Sequence, residues 1–526
     1  MPTTRIDRAF ERRLAALINA RAERALSGGR RGVEKESLRV TPEGYIAQTA
    51  HPRGLGSALT SENITTDYSE ALIELVTPTF ADNTSLFAYL SDLHHFVYQH
   101  LGDELLWATS MPCRIESDES IPIAQYGPSN VGQMKRIYRE GLGLRYGRVM
   151  QAIAGVHFNY SFPDVFWEPW AAVRESRETG SDFISRSYFD LLRNYRRYGW
   201  LTLYLFGVSP MVCKSFLRAR GEALPDFIAG TAWRPYATSL RMSDLGYRNR
   251  SQAELAVSLN SIEEYVRDLT RAIMTPNADY EKLGVQVDGI YRQLNANLLQ
   301  IENEYYAFIR PKRVALSGER PTKALLRAGV QYVEVRSLDI SAFDPLGVAE
   351  DELRFVEAFL AFCVMRDSPL MSADDQVLLD GNHVAVASAG RDPDLMLNDQ
   401  GRTLPMTVWA KEILDQMQGV CELLDSADVS RPYSRALDLQ RAKIDDVSLT
   451  PSARLVHEVE SSAESFFHHA LAMSQQHKQT LAQVYQPDQN RLATFAESAE
   501  QSLQQAEAVA AAPQKPFAEF LADYFA

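Results

Sequence analysis

Residues 32–40 read GVEKESLRV, and this short stretch indicates both the fold and a site on it. The run is typical of a strand, in which successive side chains point to opposite faces. Glu34 and Glu36 therefore leave on the same side, where two carboxylates repel each other unless a cation lies between them. A hard divalent cation such as Mg²⁺ takes oxygen ligands and tolerates that crowding. The alternative is a solvated charged face, with Lys35 and Arg39 neutralising it from the other side.

Two further stretches carry polar groups on strand-like patterns. Glu74 interrupts an otherwise apolar run within residues 65–78, which is costly in a core unless the charge is paired or bound to a metal. Residues 154–162 alternate between an apolar face and a polar face that begins with His157. This histidine is a candidate metal ligand, and the alternative is a hydrogen-bonded histidine within a sheet.

Residues 332–339 place Glu334 and Arg336 on one face of a third predicted strand. A carboxylate beside a guanidinium can hold a metal ion and a phosphoryl oxygen together. The alternative for this pair is a purely structural ion pair.

At these segments the sequence resembles the proteobacterial glutamate–cysteine ligases, also called γ-glutamylcysteine synthetases. The resemblance runs from about residue 32 to about residue 344. It is carried, in one order, by GVEKESLRV at 32–40, LGSALT at 55–60, ITTDY at 64–68, SMPC at 110–113, YREGL at 138–142, GVHFN at 155–159, SLRMSDLGY at 239–247, QIENEYY at 300–306 and VEVRSLD at 333–339.

Patterns along the chain predict an α+β fold, since strand-like segments precede a helical tail. The resemblance implies that the sheet is antiparallel, of the glutamine-synthetase-like type, flanked by helices and followed by a helical C-terminal region. It also implies ATP-dependent ligation of L-cysteine to the γ-carboxylate of L-glutamate through γ-glutamyl phosphate, the first step of glutathione synthesis. The sequence has no GxxxxGK[ST] loop and no GxGxxG loop, so metals and arginines must hold the nucleotide.

This reaction brings a carboxylate against a tetra-anionic triphosphate, so several cations are needed to suppress the repulsion. We expect two or three Mg²⁺ ions. Mn²⁺ is a second candidate, because histidine is an unusual ligand for Mg²⁺. The predicted ligands are Glu34, Glu36, Asp67, Glu74, His157 and Glu334. Guanidinium groups stabilise charge on the transferring phosphoryl group, and by resemblance Arg336 and Arg241 have this catalytic role.

The resemblance also implies a pocket for the amine acceptor. Aromatic side chains suit a thiomethyl group through packing and sulfur–aromatic contact. The predicted substrate-binding residues are Tyr68, Tyr138, Arg139, Leu142, Gln151, Tyr247 and Tyr306. The alternative is that the tyrosines belong to the core, since the chain has 23 of them. Position 68 is a tyrosine where phenylalanine is also expected in this family, which leaves the polarity of the pocket open.

Composition limits the partners and the compartment. The net charge of −14 disfavours nucleic acid as a partner. Four scattered cysteines without a CxxC pair argue against a zinc site and a disulfide framework, so we expect free thiols. A charged N-terminus and the lack of a long apolar run predict a cytoplasmic protein without membrane contact. By the family resemblance, and not from composition, we expect a monomer that binds L-glutamate, L-cysteine and ATP, with glutathione as a feedback inhibitor.

We expect one catalytic unit over residues 1–526, with the sheet and its helices in 1–370 and a mostly helical elaboration in 371–526. Helices are predicted at residues 5–26, 85–102, 188–206, 246–276, 349–365, 407–424, 452–485, 490–511 and 517–525. Residues 297–308 and 330–338 are predicted as strands. Residues 367–405, rich in Asp, Gly, Ser and Asn, are predicted as loops.

Three alternative functions remain open. A related carboxylate–amine ligase would use the same metals with another amine. A phosphotransferase of the guanidino-kinase type also uses arginines and a similar sheet, but it would need no amine acceptor. A metal-binding scaffold without chemistry is the non-enzymatic alternative, and the intact carboxylate set with Arg336 argues against it.

Overall fold

A seven-stranded antiparallel sheet runs through the part of the chain that the structure describes. The computed structural model describes residues 8–19, 23–246, 255–316 and 318–525. Its strands are β1 (Arg30–Val40), β2 (Ile64–Thr66), β3 (Leu72–Val76), β4 (Leu105–Leu106), β5 (Gly155–Ser161), β6 (Met211–Cys213), β7 (Thr231–Trp233), β8 (Gln286–Val287), β9 (Ile290–Tyr291), β10 (Ile309–Lys312), β11 (Tyr332–Asp339), β12 (Met396–Asp399) and β13 (Arg402–Pro405). The main sheet has the order β10-β11-β5-β1-β3-β2, with β4 paired to the end of β1, and the remaining strands form three two-stranded sheets.

Helices surround this sheet and make up most of the C-terminal region. They are α1 (Arg8–Asn19), α2 (Asn83–Tyr98), α3 (Asn130–Tyr146), α4 (Arg148–Gln151), α5 (Trp167–Val173), α6 (Gly180–Tyr198), α7 (Trp200–Phe206), α8 (Lys214–Arg220), α9 (Ile262–Met274), α10 (Ala278–Leu283), α11 (Pro321–Ala328), α12 (Glu350–Met365), α13 (Ala373–Ala389), α14 (Met406–Leu424), α15 (Pro432–Asp445), α16 (Pro451–Ser462), α17 (Phe466–Val484), α18 (Gln489–Ala511) and α19 (Phe517–Phe525). The predicted α+β class, with an antiparallel sheet and a helical C-terminal region, is confirmed.

The strand alternation separates a buried apolar face of the sheet from a polar face. On β1 and β5, Val33 and Phe158 are fully buried against the helices, while Glu34 and His157 point to the other face. Lys35 points away from Glu34, and its Nζ lies 3.1 Å from His94 Nε2 in the interior. The alternative of a solvated charged face on this strand is therefore wrong.

Three predictions of secondary structure are wrong in part or in whole. Residues 297–308 form a turn with a short 3-10 helix at Glu302–Glu304, because the side chain of Gln300 binds the backbone and replaces the strand ladder. The expected loop at 367–405 contains α13, which begins at a capping box of Ser372 and Asp375, and the β12–β13 hairpin. Within the predicted helix 246–276, α9 begins only after the N-cap Ser261, and residues 247–254 lie outside the described residues.

The expectation of four free thiols is also wrong. Cys113 and Cys213 form a disulfide with their Cα atoms 5.4 Å apart, whereas Cys363 and Cys421 are free and buried. The paired cysteines are separated by 100 residues, so their spacing along the chain carries no motif. The fold brings together the loop after β4 and the end of β6.

A hydrophobic core joins side chains from α1, the sheet and the C-terminal helices as far as α18. A second, separate cluster lies between α3, the segment around Leu294 and Ile301, and α19. Among the described helices, none combines the length and the apolar character needed to span a bilayer.

Candidate active site

The antiparallel register places five of the six predicted metal ligands on one face of the sheet, and the sixth, Asp67, directly follows β2. Glu36 lies directly opposite Glu74 on β3, and Glu34 lies opposite His157 on β5. Glu334 on β11 lies opposite Asn159, one strand further along. Since side chains opposite each other in an antiparallel pair lie within about 5 Å, the register alone gathers these groups.

Hydrogen bonds hold the central ligands in place. His157 Nδ1 lies 3.0 Å from Glu34 Oε2, and its Nε2 lies 3.6 Å from Glu36 Oε1. Asn159 Nδ2 donates to Glu34 Oε1 at 2.9 Å, and the backbone N–H of Gly155 donates to Glu36 Oε2 at 2.7 Å. The ligand atoms of Glu34, Glu74 and His157 all lie within 4.8 Å of one another, a spacing that suits a shared metal ion.

The electrostatics of this face favour a bound cation. Burial raises the pKa of Glu74 well above its ordinary range, and the charges of Glu34, Asp67 and Glu36 raise it further. Burial also raises the pKa of Glu36. A divalent cation among these oxygens would allow them to be ionised together, because it replaces mutual repulsion by attraction. The carboxylate-rich donor set therefore fits a hard metal ion.

A row of cations adjoins the carboxylates on β10 and β11. Arg336 Nη1 lies 3.2 Å from Glu334 Oε1, and Lys312 Nζ lies 3.4 Å from the same oxygen. Burial would raise the pKa of Glu334, but Lys312, Arg336, His157 and Arg310 together hold it well below its ordinary value. The other carboxylate oxygen of Glu334 is buried without a hydrogen-bond partner among the described residues, which leaves it available to a metal.

Arg241 lies at the edge of this group and is fully buried. Its Nη2 donates to the carbonyl oxygen of Arg336 at 3.0 Å, and its Nη1 lies 3.7 Å from Asp339 Oδ1. Asp339 accepts three further hydrogen bonds, from the backbone N–H of Val208 and the hydroxyls of Ser209 and Ser239. The guanidinium therefore has a defined position beside the start of β5.

The predicted acceptor residues gather around a cavity of about 100 Å³ next to the carboxylates. Tyr138 and Leu142 are one helical turn apart on α3, so both face the cavity. Its lining includes the predicted residues Tyr68, Tyr138, Arg139, Leu142, Gln151 and Tyr306, and also Glu36, Asp67, His157 and Arg336. Tyr247, which is also predicted here, lies outside the described residues. Burial raises the pKa of Tyr306 to about 12, which keeps its hydroxyl neutral at physiological pH.

Sequence reasoning missed several residues of this cavity. Tyr146, Met150, Asn303, Glu304 and Arg310 also line it. Glu304 accepts hydrogen bonds from Arg145 and Tyr146 inside the protein, and these bonds fix the outer wall. A period-two pair of cations in Arg310 and Lys312 is the sequence signal that could have identified the cationic row on β10.

A second cavity, of about 300 Å³, shares Asn303 and Arg310 with the first. It combines cations with apolar surfaces from α9, α11 and β11. Its lining includes Tyr265, Leu269, Lys312, Val314, Leu325 and Tyr332.

The family model described as Glutamate-cysteine ligase matches residues 14–386, which is more than half of the chain. The chain belongs to this family. A glutamate–cysteine ligase of Alcanivorax borkumensis is 48% identical over 521 residues, covering 98% of this chain and 99% of that protein. One from Pseudomonas putida KT2440 is 49% identical over 449 residues, covering 85% of this chain and 86% of the relative.

Solved structures agree with this membership. The crystal structure of a glutamate–cysteine ligase from Francisella tularensis in complex with AMP has a TM-score of 0.88 at 36% identity, covering 95% of this chain and 98% of that one. A bifunctional glutathione synthetase from Pasteurella multocida has a TM-score of 0.65 at 24% identity, covering 89% of this chain and 54% of that one, which is a likeness of fold alone. The family resemblance found in the sequence is confirmed.

Proposed function

We propose that this chain ligates L-cysteine to the γ-carboxylate of L-glutamate with cleavage of ATP, through γ-glutamyl phosphate. The observation that carries the proposal is one sheet face on which a cluster of carboxylates with His157 adjoins a row of cations and an aromatic cavity. Phosphoryl transfer between two anions needs the first two features, and selection of a small amine needs the third.

We assign the metal site to Glu34, Glu36, Asp67, Glu74, His157 and Glu334. Mg²⁺ is the proposed ion, with Mn²⁺ as a substitute and two or three ions in all. Bound at these oxygens, the ions would neutralise the triphosphate and orient its γ-phosphoryl group. The support is the crowding of carboxylates described above and the unpartnered oxygen of Glu334 among the described residues.

Arg336 and Arg241 are the proposed catalytic residues. Arg336 projects from the strand face that carries Glu334, so its guanidinium is placed to bind equatorial oxygens of the transferring phosphoryl group. Arg241 is held next to the backbone of Arg336 and would orient the glutamate that attacks. The Arg336 guanidinium also lies 5.9 Å from the centre of the Tyr306 ring, which connects the phosphoryl site to the acceptor cavity.

L-Cysteine is the proposed occupant of the smaller cavity. Tyr138, Leu142 and Tyr306 offer an apolar surface for a thiomethyl group, while Arg139 and Gln151 offer polar contacts. Tyr68 and Tyr247 complete the proposed set of substrate-binding residues. The size of the cavity suits a small amino acid rather than a large amine.

The larger cavity is the proposed nucleotide site. Tyr265, Leu269 and Leu325 offer apolar surface to a base, and Arg310 and Lys312 lie toward the carboxylates, where phosphates would be. This arrangement needs no glycine-rich loop. It is consistent with a relative of known structure that is a complex with AMP.

We further propose a cytoplasmic monomer that acts as one catalytic unit. The support for one unit is the hydrophobic core that extends from α1 to α18. Glutathione is the proposed feedback inhibitor, because it contains the γ-glutamyl and cysteinyl groups of the product and would compete for the same surfaces.

The test is release of phosphate from ATP with L-glutamate, measured with and without L-cysteine, glycine and ethylamine. We expect release to require both L-glutamate and an amine, with L-cysteine giving the highest kcat/KM. Equal turnover with glycine or ethylamine would contradict the assignment of cysteine and favour another carboxylate–amine ligase. Phosphorylation of a guanidine without any amine would favour the phosphotransferase.

A further inference from the structure

The C-terminal helix α19 packs against α3, a helix from a much earlier part of the chain. A separate hydrophobic cluster buries Leu521 of α19 with Met134, Ile137, Leu294 and Ile301. Four aromatic side chains of α19 pack around this cluster, namely Phe517, Phe520, Tyr524 and Phe525. Four packed aromatic side chains on a helix of nine residues indicate that α19 docks in one specific position.

Polar contacts attach both ends of this segment. At the N-terminus of α3, the backbone N–H of Asn130 donates to Gln514 Oε1 at 3.0 Å, and its Nδ2 donates to the carbonyl oxygen of Lys515 at 2.9 Å. At the other end, Arg320 Nη1 donates to the carbonyl oxygen of Phe525 at 3.4 Å. The helix therefore bridges α3 and the start of α11.

The helix that α19 supports also forms a wall of the acceptor cavity. Tyr138 packs against the cluster and lines the cavity, and Leu142 follows one turn later. The segment holding Leu294 and Ile301 belongs to the same wall, because Gln300 Nε2 donates to the carbonyl oxygen of Tyr138 at 3.1 Å. The helix α19 thus contacts both pieces of the wall, and none of its described residues lines the cavity.

We propose that α19 is a positioning element that fixes α3 and thereby sets the affinity of the acceptor site for its amine. The inference rests on the proposed function, since it takes the smaller cavity to hold the amine. Without α19, the apolar side of α3 would face water and the helix would shift to cover it. A shift of about 1 Å at Tyr138 and Leu142 is enough to impair binding and alignment of the acceptor. The metal ligands other than Asp67 lie on strands of the sheet, outside the cluster that α19 joins, and would stay in place.

The test replaces Leu521, which is 7% exposed, by aspartate, so that docking of α19 would bury an unpaired charge. In Leu521→Asp we expect KM for L-cysteine to rise at least about fivefold and by a larger factor than KM for ATP, because α19 reaches the nucleotide cavity only at its edge, near the start of α11. We expect KM for L-glutamate to change by less than about twofold. Leu521→Met, made in the wild-type protein, keeps the volume of the side chain and should leave KM for L-cysteine at its wild-type value. Glu519→Gln, on the exposed side of the same helix, is the matched control and should leave all three constants unchanged.

A second control separates positioning from general loosening. Leu492→Ala removes a buried side chain of α18 that belongs to the main core and not to the α19 cluster. It should lower the thermal midpoint without raising KM for L-cysteine. An unchanged KM in Leu521→Asp, or an equal rise in Leu492→Ala, would overturn the proposal.

Hydrogen exchange supplies a readout that needs no turnover. We expect amides of residues 130–146 to exchange at least about tenfold faster in Leu521→Asp, with the amides of α14 unchanged. If the wild-type protein shows no cysteine-dependent phosphate release, the proposed function fails, and exchange alone then decides whether α19 fixes α3. Unchanged exchange over residues 130–146 would refute the positioning role in either case.

Discussion

Gly155, the first residue of β5, provides the space that the Arg241 guanidinium occupies. An ideal Cβ at this position would lie 2.0 Å from Arg241 Nη2 and 2.5 Å from its Cζ. Ordinary contact begins near 3.4 Å, so Gly155→Ala must displace the guanidinium by about 1.4 Å. Arg241 is fully buried, so it has no solvent into which it can move. The backbone N–H that donates to Glu36 is kept, so the change acts on Arg241 first.

A displacement of this size at a positioning cation costs about 10²-fold in kcat/KM, which corresponds to about 2.7 kcal/mol of transition-state stabilisation. The assay is steady-state phosphate release with L-glutamate, L-cysteine and ATP, together with circular dichroism on the same preparation. Gly381→Ala is the matched control, because a Cβ there meets nothing within 4 Å in the middle of α13. It should leave the kinetics unchanged and stabilise the fold by about 1 kcal/mol.

A double-mutant cycle identifies the cause of the loss. If Gly155→Ala acts through Arg241, the substitution should cost little more in an Arg241→Lys background, where that guanidinium is already absent. Fully additive losses would show that the added methyl group acts through another side chain. A folded Gly155→Ala protein with wild-type kcat/KM would refute the placement of Arg241 in the mechanism.

Three further predictions concern the metal ligands, the phosphoryl site and the disulfide. In Glu36→Gln and Glu334→Gln we expect turnover to fall at least about 10²-fold, with partial recovery at high Mg²⁺, and unchanged metal dependence in both would place the metal elsewhere. Arg336→Lys keeps the charge but loses the planar guanidinium that can bind two oxygens at once, so kcat should fall about 10²-fold. KM for L-glutamate and KM for L-cysteine should change little. A wild-type kcat in this variant would mean that Arg336 is only a structural partner of Glu334. Replacing Cys113 and Cys213 by serine should lower the free energy of unfolding by about 4 kcal/mol, since the disulfide closes a loop of 100 residues. The measurement is urea denaturation, and a wild-type midpoint that does not change when reductant is added would contradict this prediction.

Much of the site could be predicted because strands impose a strict period on their side chains. Glu34 and Glu36 share a face through the period of β1. Glu334 and Arg336 also share a face, although the register between β5 and β11 shifts just after Val335. The outer wall of the smaller cavity was harder to predict. Residues around Gln300 have the apolar character of a strand, but side-chain hydrogen bonds to the backbone fold them into a turn. The roles of Glu304 and Arg310 depend on that turn.

The amino-acid sequence by itself determined the strand faces, the helical C-terminal region and the membership of the family, because all three follow from local order along the chain. Tertiary structure alone decided which groups meet across long distances. The register between β1, β3, β5 and β11 brings carboxylates from separate strands onto one face of the sheet. The fold also pairs Cys113 with Cys213. Packing likewise brings α19 onto α3. The physical reason is that side-chain direction is a property of the local backbone, whereas pairing and docking depend on which apolar surfaces the whole chain buries together.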